Sequence, residues 1–288
     1  MASGRDGVGM SRLVISLSAV PPRFEKIWQT LETLVAQTAA VEAICLYIPE
    51  SYRRFPEWDG SLPKVPDGVQ IRRIDQDWGP ATKVLAAAQD YRGQDVDILF
   101  CDDDRWYPSG WAQRFLDLKA RHPGCVIANL GVEAHWLEPG GETRPHMPRA
   151  VRRWRITDVE FQLRHLWQDL RYWGSDAPRP RLTRRIFKRS GYMDIFEGCA
   201  GVLVRPEHFD EAAYDIPPVL WSVDDVWLSG MVGRMGVPIW VEGNIREPDD
   251  TEAEHHAPLY FFSFDGTGRD DANRQGVRYM RETFGIWT

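Results

Sequence analysis

The sequence predicts a doubly wound α/β fold, a mainly parallel sheet flanked by helices, with a basic helical insertion. Three observations carry that expectation. Short apolar runs alternate with helix-periodic segments from Leu13 to Asn129. The fourth apolar run, Val96 to Cys101, runs directly into Asp102, Asp103 and Asp104. Past Arg144 the regularity breaks and arginines crowd in. Strands alternating with helices imply parallel pairing, and such sheets bind ligands at the carboxyl ends of their strands.

The elements follow in order. Leu13-Val-Ile-Ser-Leu-Ser18 reads as a short buried strand. Phe24, Ile27, Trp28, Leu31, Leu34 and Val35 repeat at helical spacing, which predicts a helix to about Gln37. Val41 to Ile48 is a second strand. A loop punctuated by Pro56, Gly60, Pro63, Pro66 and Gly68 leads to a third strand, Val69 to Ile74. Ala81 to Tyr91 is a helix, Val96 to Cys101 the fourth strand, Pro108 to Ala120 a helix and Cys125 to Asn129 a strand. A strand-like run from Ile195 to Val204, helices from Pro206 to Ala213 and from Asp224 to Gly236, and a strand from Pro238 to Val241 complete the expected core. An acidic loop with two histidines precedes a final helix, Asp270 to Phe284.

Composition bounds the function classes. The chain has 288 residues, 43% of them apolar and 27% charged, which excludes a disordered chain or a fibre. No apolar run approaches the roughly 20 residues needed to cross a bilayer. The net charge is −7, so the whole chain is no nucleic-acid clamp and no nucleic-acid partner is expected. Cys45, Cys101, Cys125 and Cys199 form no CxxC pair and read as small buried hydrophobes. Residues 1–11 read as a flexible leader without a secretory signal, and cytoplasmic residence follows as the expectation. Gly4, Gly7 and Gly9 imitate a dinucleotide fingerprint but precede the first strand, so they are discarded. One domain spanning 1–288 is expected, with 134–194 as a Trp- and Arg-rich insertion.

Between Arg144 and Ser190 there are 13 basic residues against 4 acidic ones, a charge of +9 that leaves −16 for the remainder. Val159, Leu163, Leu166, Trp167, Leu170 and Trp173 share one helical face there. A stripe of this kind is expected to dock on the protein's own core. The alternative is an interfacial helix on anionic lipid, which would seat the chain peripherally on the inner face of the membrane through 144–190.

Four constellations carry chemistry. Three adjacent carboxylates repel one another, and a divalent cation relieves that; alternate residues of an extended chain share a side, so Asp102 and Asp104 converge. The alternative is a solvated strand end with Asp104 as a helix cap. Asp77-Trp-Gly-Pro-Ala-Thr-Lys83 is a turn opening a helix. Lysine is electrostatically misplaced at a helix start, and an anionic ligand resolves the conflict. Asp224 and Asp225 open another helix, one placed to cap it and one to face a pocket. His255 or His256 supplies a further ligand if the metal is manganese.

In this order the landmarks resemble a GT-A glycosyltransferase of the family 2 type. The first strand resembles the one that borders the nucleotide. Thr30-Leu-Glu-Thr-Leu-Val-Ala-Gln-Thr38 and the strand after it resemble the family's first helix, its Gln-Thr turn and second strand. Phe100-Cys-Asp-Asp-Asp104 resembles the D-x-D element, Glu197-Gly-Cys-Ala-Gly201 the Gly-rich strand beside the sugar, and Ser222-Val-Asp-Asp-Val-Trp-Leu228 the E-D-V segment. The resemblance spans Leu13 to His256.

What it implies is an inverting transfer from a nucleotide-diphosphate sugar, UDP by default, to a glycan or lipid-linked acceptor, in polysaccharide biosynthesis. Mn2+ or Mg2+ would be held by Asp104, Asp102 and one of His255 and His256. Ser16, Ser18, Asp77, Lys83, Asp102 and Asp103 would bind the donor. Glu197, Gly198, Cys199, Ala200 and Gly201 would line the sugar and acceptor pocket. Asp225 would be the general base and Asp224 its neighbour on the sugar or acceptor. The second strand departs from the pattern, ending in Tyr47-Ile-Pro-Glu50 without the family's Asp-Asp-Gly-Ser. Two rivals stay open. A sugar nucleotidyltransferase would carry a Gly-rich basic loop where Ala19-Val-Pro-Pro-Arg-Phe24 stands. A non-catalytic glycan- or membrane-binding module would not need the acids at 102–104 and 224–225.

Overall fold

The computed structural model describes residues 11–141, 144–175, 179–257 and 268–288. In chain order the elements are β1 (Arg12–Ser18), α1 (Trp28–Val35), β2 (Ala43–Pro49), β3 (Val69–Ile74), α2 (Thr82–Asp90) and β4 (Val96–Phe100). There follow β5 (Arg105–Trp106), α3 (Trp111–Arg121), β6 (Val126–Ala128), β7 (Gly131–Val132), α4 (Ala134–Leu137), β8 (Val151–Arg152) and α5 (Val159–Arg171). The remainder comprises β9 (Phe187–Arg189), β10 (Gly191–Met193), β11 (Ile195–Phe196), β12 (Val202–Val204), α6 (Asp224–Arg234), β13 (Ile239–Val241), β14 (Asp249–Asp250) and α7 (Arg269–Phe284).

The centre is an eight-stranded sheet in the order β10-β13-β6-β12-β4-β1-β2-β3. Strands β3, β2, β1 and β4 pair in parallel, as do β6 and β13. β12 and β10 run the other way. The sheet is therefore mixed and mostly parallel. Alternation along each strand divides its side chains between two cores. Leu13, Ile15 and Leu17 of β1 pack with α1 and α3 on one face. Val14 of β1 and Ile98 and Phe100 of β4 pack with α2, α6 and α7 on the other. Helices on both faces meet the doubly wound expectation.

Three expected elements are corrected. The first helix is shorter than its periodicity predicts: Pro21 and Pro22 start a separate 3-10 turn, Pro21–Arg23, and α1 begins only at Trp28. The run from Ile195 to Val204 is not one strand. It breaks at a 3-10 turn, Gly198–Ala200, and Gly201 (φ 101°) reverses the backbone into β12. That conformation suits glycine, and a Cβ there would sit 2.4 Å from Trp111 Cζ2. The stretch from Pro206 to Ala213 forms two 3-10 turns instead of a helix.

The expected leader, 1–11, lies outside the described residues except for Ser11, which hydrogen-bonds Asp97 and accepts from Lys119 Nζ at 2.8 Å. Among the described residues no helix is long and apolar enough to cross a membrane.

The basic insertion gives the largest departure. α5 does not dock its apolar stripe on the core. Phe161 and Gln168, on the opposite face, are buried instead. Gln168 Nε2 donates to the Pro180 carbonyl and Arg164 Nη1 to that of Thr183. The stripe points outward: Leu163 is 63% exposed, Leu170 64% and Trp173 83%.

Candidate functional site

A cavity of about 320 Å³ opens at the carboxyl ends of the parallel strands. Ser18 ends β1, Pro49 ends β2, Asp77 follows β3, and Asp102 to Asp104 follow β4; all of them line it. Arg23, Tyr52, Arg54, Lys83, Arg105, Glu197, Cys199, Trp221, Asp224, Asp225, Glu254 and Arg269 complete most of the wall. Parallel sheets place their loops here, so the cavity's location follows from the topology.

Lys83 stands at its floor. The turn before α2 is built by Asp77: its Oδ1 accepts from Gly79 N–H at 2.7 Å, its Oδ2 from Arg53 N–H at 2.8 Å, and Trp78 N–H donates to Thr82 Oγ1. Gly79 takes φ 60°, and a Cβ would meet Trp221 at 2.7 Å. Lys83 Nζ then lies 2.6 Å from Asp102 Oδ1 and 3.2 Å from Asp224 Oδ2. The electrostatic misfit at this helix start is thus met by the chain's own carboxylates. Burial opposes the ammonium's charge, but Asp102, Asp224 and Asp225 outweigh it and hold its pKa well above the usual range. Burial likewise pushes the Asp102 carboxyl up, while Lys83 more than reverses this and leaves it below its ordinary value.

The other acids of the triplet have different partners. Arg23 Nη1 lies 2.5 Å from Asp103 Oδ1 and 3.0 Å from Asp104 Oδ2. Arg105 reaches both Asp104 and Asp250. Burial, then the charges of Asp102 and Asp103, push Asp104 up to about 6. Asp103 is also raised, by burial working against Arg23. Asp103 Oδ2 and Asp104 Oδ1 are buried acceptors without a hydrogen bond, the latter facing Arg105 Nε at 3.4 Å. A buried acceptor left without a partner costs free energy, and a hard cation with a preference for oxygen ligands satisfies it. On that observation Asp103 and Asp104 each present an oxygen that Mn2+ or Mg2+ would take, whereas Asp102, expected to converge with Asp104, is held by Lys83 instead.

Asp224 and Asp225 occupy the first turn of α6, and Val223 is the N-cap residue. Neither acid caps the helix through its own side chain, as one was expected to do. Asp224 faces Lys83. Asp225 Oδ1 accepts from Gly198 N–H at 2.9 Å. A Cβ on residue 198 would sit 3.1 Å from that oxygen and 3.2 Å from Lys83 Nζ, so glycine allows the close approach. Burial, then the neighbouring Asp224 charge, push the Asp225 carboxyl up to about 8, against the pull of Lys83 and Arg269.

Several expected site residues serve other ends. Ser16 does not line the cavity; it is fully buried, and its Oγ donates to the Lys83 carbonyl at 2.5 Å, fixing the start of α2. Ala200 and Gly201 lie behind the wall, where the Ala200 carbonyl accepts from Trp111 Nε1 and Asn129 Nδ2. Glu197 and Cys199 do face the cavity, and burial raises the pKa of each.

His255 and His256 are corrected as ligands. Thr251 caps a 3-10 turn, Glu252–His255, whose Ala253 is buried. That turn directs Glu254 and Ala257 to the cavity and leaves both histidines exposed. His256 contributes only its carbonyl, to Arg23 Nε at 2.9 Å.

Among the described residues, the group of three ligand atoms within 4.8 Å of one another is Glu133, His135 and Asp194. Arg149 bridges its two carboxylates, which accounts for their approach.

Sequence reasoning missed Arg23, Tyr52, Arg54, Arg105, Trp221, Glu254 and Arg269. Arg105 carried a signal, because it adjoins the acidic triplet directly. Arg23 followed the Pro21-Pro22 pair in a loop that could be placed beside the first strand's end. The others come from loops and helix starts that only the tertiary fold brings here. Comparison of the chain with models of known protein families and with curated protein sequences gives no match.

Proposed function

We propose that this chain is an inverting glycosyltransferase that moves a sugar from a nucleoside-diphosphate donor to a hydroxyl of a glycan or lipid-linked acceptor. The observation that carries the reading is the convergence of the Asp102–Asp104 triplet, Lys83 and the α6 acids around one cavity at the strand ends. The resemblance supplies the donor class, with UDP as its default nucleotide.

Each role follows from chemistry. Asp104 and Asp103 would hold Mn2+ or Mg2+, which when bound neutralises the diphosphate as a Lewis acid, with Asp102 beside them on Lys83. Lys83, Arg23 and Arg105 place further positive charge where the leaving diphosphate gathers negative charge. Asp225 takes the acceptor's proton as the hydroxyl attacks the anomeric carbon. A carboxyl at about 8 is a far stronger base than an ordinary one, and it is ready once ionised. The free-enzyme kcat/KM therefore rises with pH through about 8. Gly198 N–H orients the carboxylate, and Asp224 keeps Lys83 in place.

Calorimetry with UDP, GDP and their sugars, with Mn2+ and with EDTA, tests the reading, followed by donor hydrolysis without acceptor. Metal-enhanced nucleotide binding and slow sugar release support it. Absence of binding by any nucleoside diphosphate overturns it. Release of pyrophosphate from a nucleoside triphosphate and a sugar phosphate would make the chain a nucleotidyltransferase, and tight sugar binding without turnover a binding module.

A further inference from the structure

We infer that the exposed face of α5 seats the protein on an anionic lipid surface, with the helix lying in the plane of the interface. This does not depend on the reaction proposed above.

The amphipathicity of α5 is inverted with respect to its own molecule. At 100° per residue, Val159, Leu163, Leu166, Trp167, Leu170 and Trp173 fall within a band about 120° wide. All six are more than half exposed. Phe161, Arg164 and Gln168, from the other side, make the contacts to the protein. The band is extended before the helix by Trp154 and Ile156, 76% and 84% exposed. Asp158 caps the helix by accepting from Phe161 N–H.

Chemistry selects the occupant. The segment from Arg144 to Ser190 carries +9 in a chain of −7. Arg171 flanks the band over the Trp167 ring, is exposed, and has no acidic partner among the described residues; Arg155, also exposed and without such a partner, lies over Phe161 on the other side. Leucines in the middle, tryptophans towards both ends and arginines beside them match the layering of a lipid interface, from acyl chains to headgroups to phosphates. A second copy fits worse, because a symmetric contact sets two basic segments face to face.

The platform also adjoins the cavity. Thr183 hydrogen-bonds Asp249, Arg181 pairs with Asp250, and β14, which holds both acids, pairs with β5 and its cavity residue Arg105. A lipid surface under α5 is therefore one short strand pair away from the site.

Flotation of the full chain with vesicles tests this, using phosphatidylcholine alone and phosphatidylcholine mixed with phosphatidylglycerol. Binding is expected on the anionic vesicles, falling with salt. Each buried leucine is worth about tenfold in partitioning, so Leu163→Ser/Leu166→Ser/Leu170→Ser should abolish flotation. Arg171→Ser should weaken it about fivefold on anionic vesicles only. These side chains are exposed, so circular dichroism and nucleotide binding should not change. The inference is overturned if anionic vesicles do not float the chain, if neutral vesicles float it equally, or if the triple variant floats like the parent. It is also overturned if light scattering finds a dimer that the triple variant dissociates, which makes the face a self-interface.

Discussion

Replacing Asp225 by Asn should make the protein more resistant to unfolding at high pH and leave it unchanged at low pH. An Asp in the unfolded chain titrates near 4. In the folded protein burial and Asp224 push Asp225 up to about 8. The folded state thus holds the proton more tightly. The stability gained from this is fully present below about pH 4 and is lost as pH rises through about 8. Asn copies the protonated acid in shape and can still accept from Gly198 N–H. Taken in full, a rise of four units corresponds to roughly 5 kcal/mol. The carboxylate faces the cavity and is screened by its water, so a gain on the order of 2 kcal/mol is expected. Urea unfolding of parent and variant at about pH 4 and about pH 9 measures it. The two should coincide at the lower pH. At the higher, the variant should be ahead by that amount, or by about 4 °C or more in Tm. An equal difference at both pH values would refute the assigned proton and the pH-rate profile derived from it.

Other changes have equally direct outcomes. Lys83→Met leaves Asp102 and Asp224 facing each other without their shared cation, and should cost about 3 kcal/mol in denaturant unfolding near neutral pH. Gly201→Ala forces φ 101° on an alanine and drives its Cβ into Trp111; a loss of at least about 2 kcal/mol is expected, and an unchanged Tm would show that the reversal into β12 is more yielding. Asp104→Ala should remove the enhancement of UDP binding by Mn2+ in calorimetry, whereas the exposed pair His255→Ala/His256→Ala should retain it.

The readable parts of this protein are those where local chemistry and position coincide. An acidic triplet after an apolar strand, a lysine in the first turn of α2 and two acids opening α6 each announce a strand end or helix start. The α/β alternation then collects them at one end of the sheet. The periodicity of α5 was equally plain, but a hydrophobic stripe specifies a direction and not what it meets. Arg164 and Gln168 turn that stripe outward through hydrogen bonds to the segment after the helix, and no periodicity encodes those contacts. The histidines failed for a related reason. A turn of four residues decides whether Glu254 or its neighbour points inward, and buried Ala253 decides it. β12 is only three residues inside a run that looks continuous, and Gly201 was its one local mark. Arg23 and Arg269 approach the site from opposite ends of the chain, where sequence proximity carries no information.

The place of β12 sets an order in which the molecule can be assembled. β4 and β6 have no hydrogen bonds to each other; residues 202–204 join them. As the chain emerges during synthesis, β1 to β4 can pair at once, while the edge of β4 stays open until β12 arrives from the far side of the basic insertion. Every residue of β4 is buried in the finished sheet, and all but Asp97, which pairs with Lys119, are apolar, so that the waiting edge exposes apolar surface. Fragments ending before Val204 should therefore aggregate instead of folding to a smaller sheet. The long-range closure makes folding of the whole slow relative to a chain with only neighbouring pairings. The cavity inherits the same delay, because Glu197, Cys199 and the acids of α6 reach the ends of β1 and β4 only after that strand has been inserted.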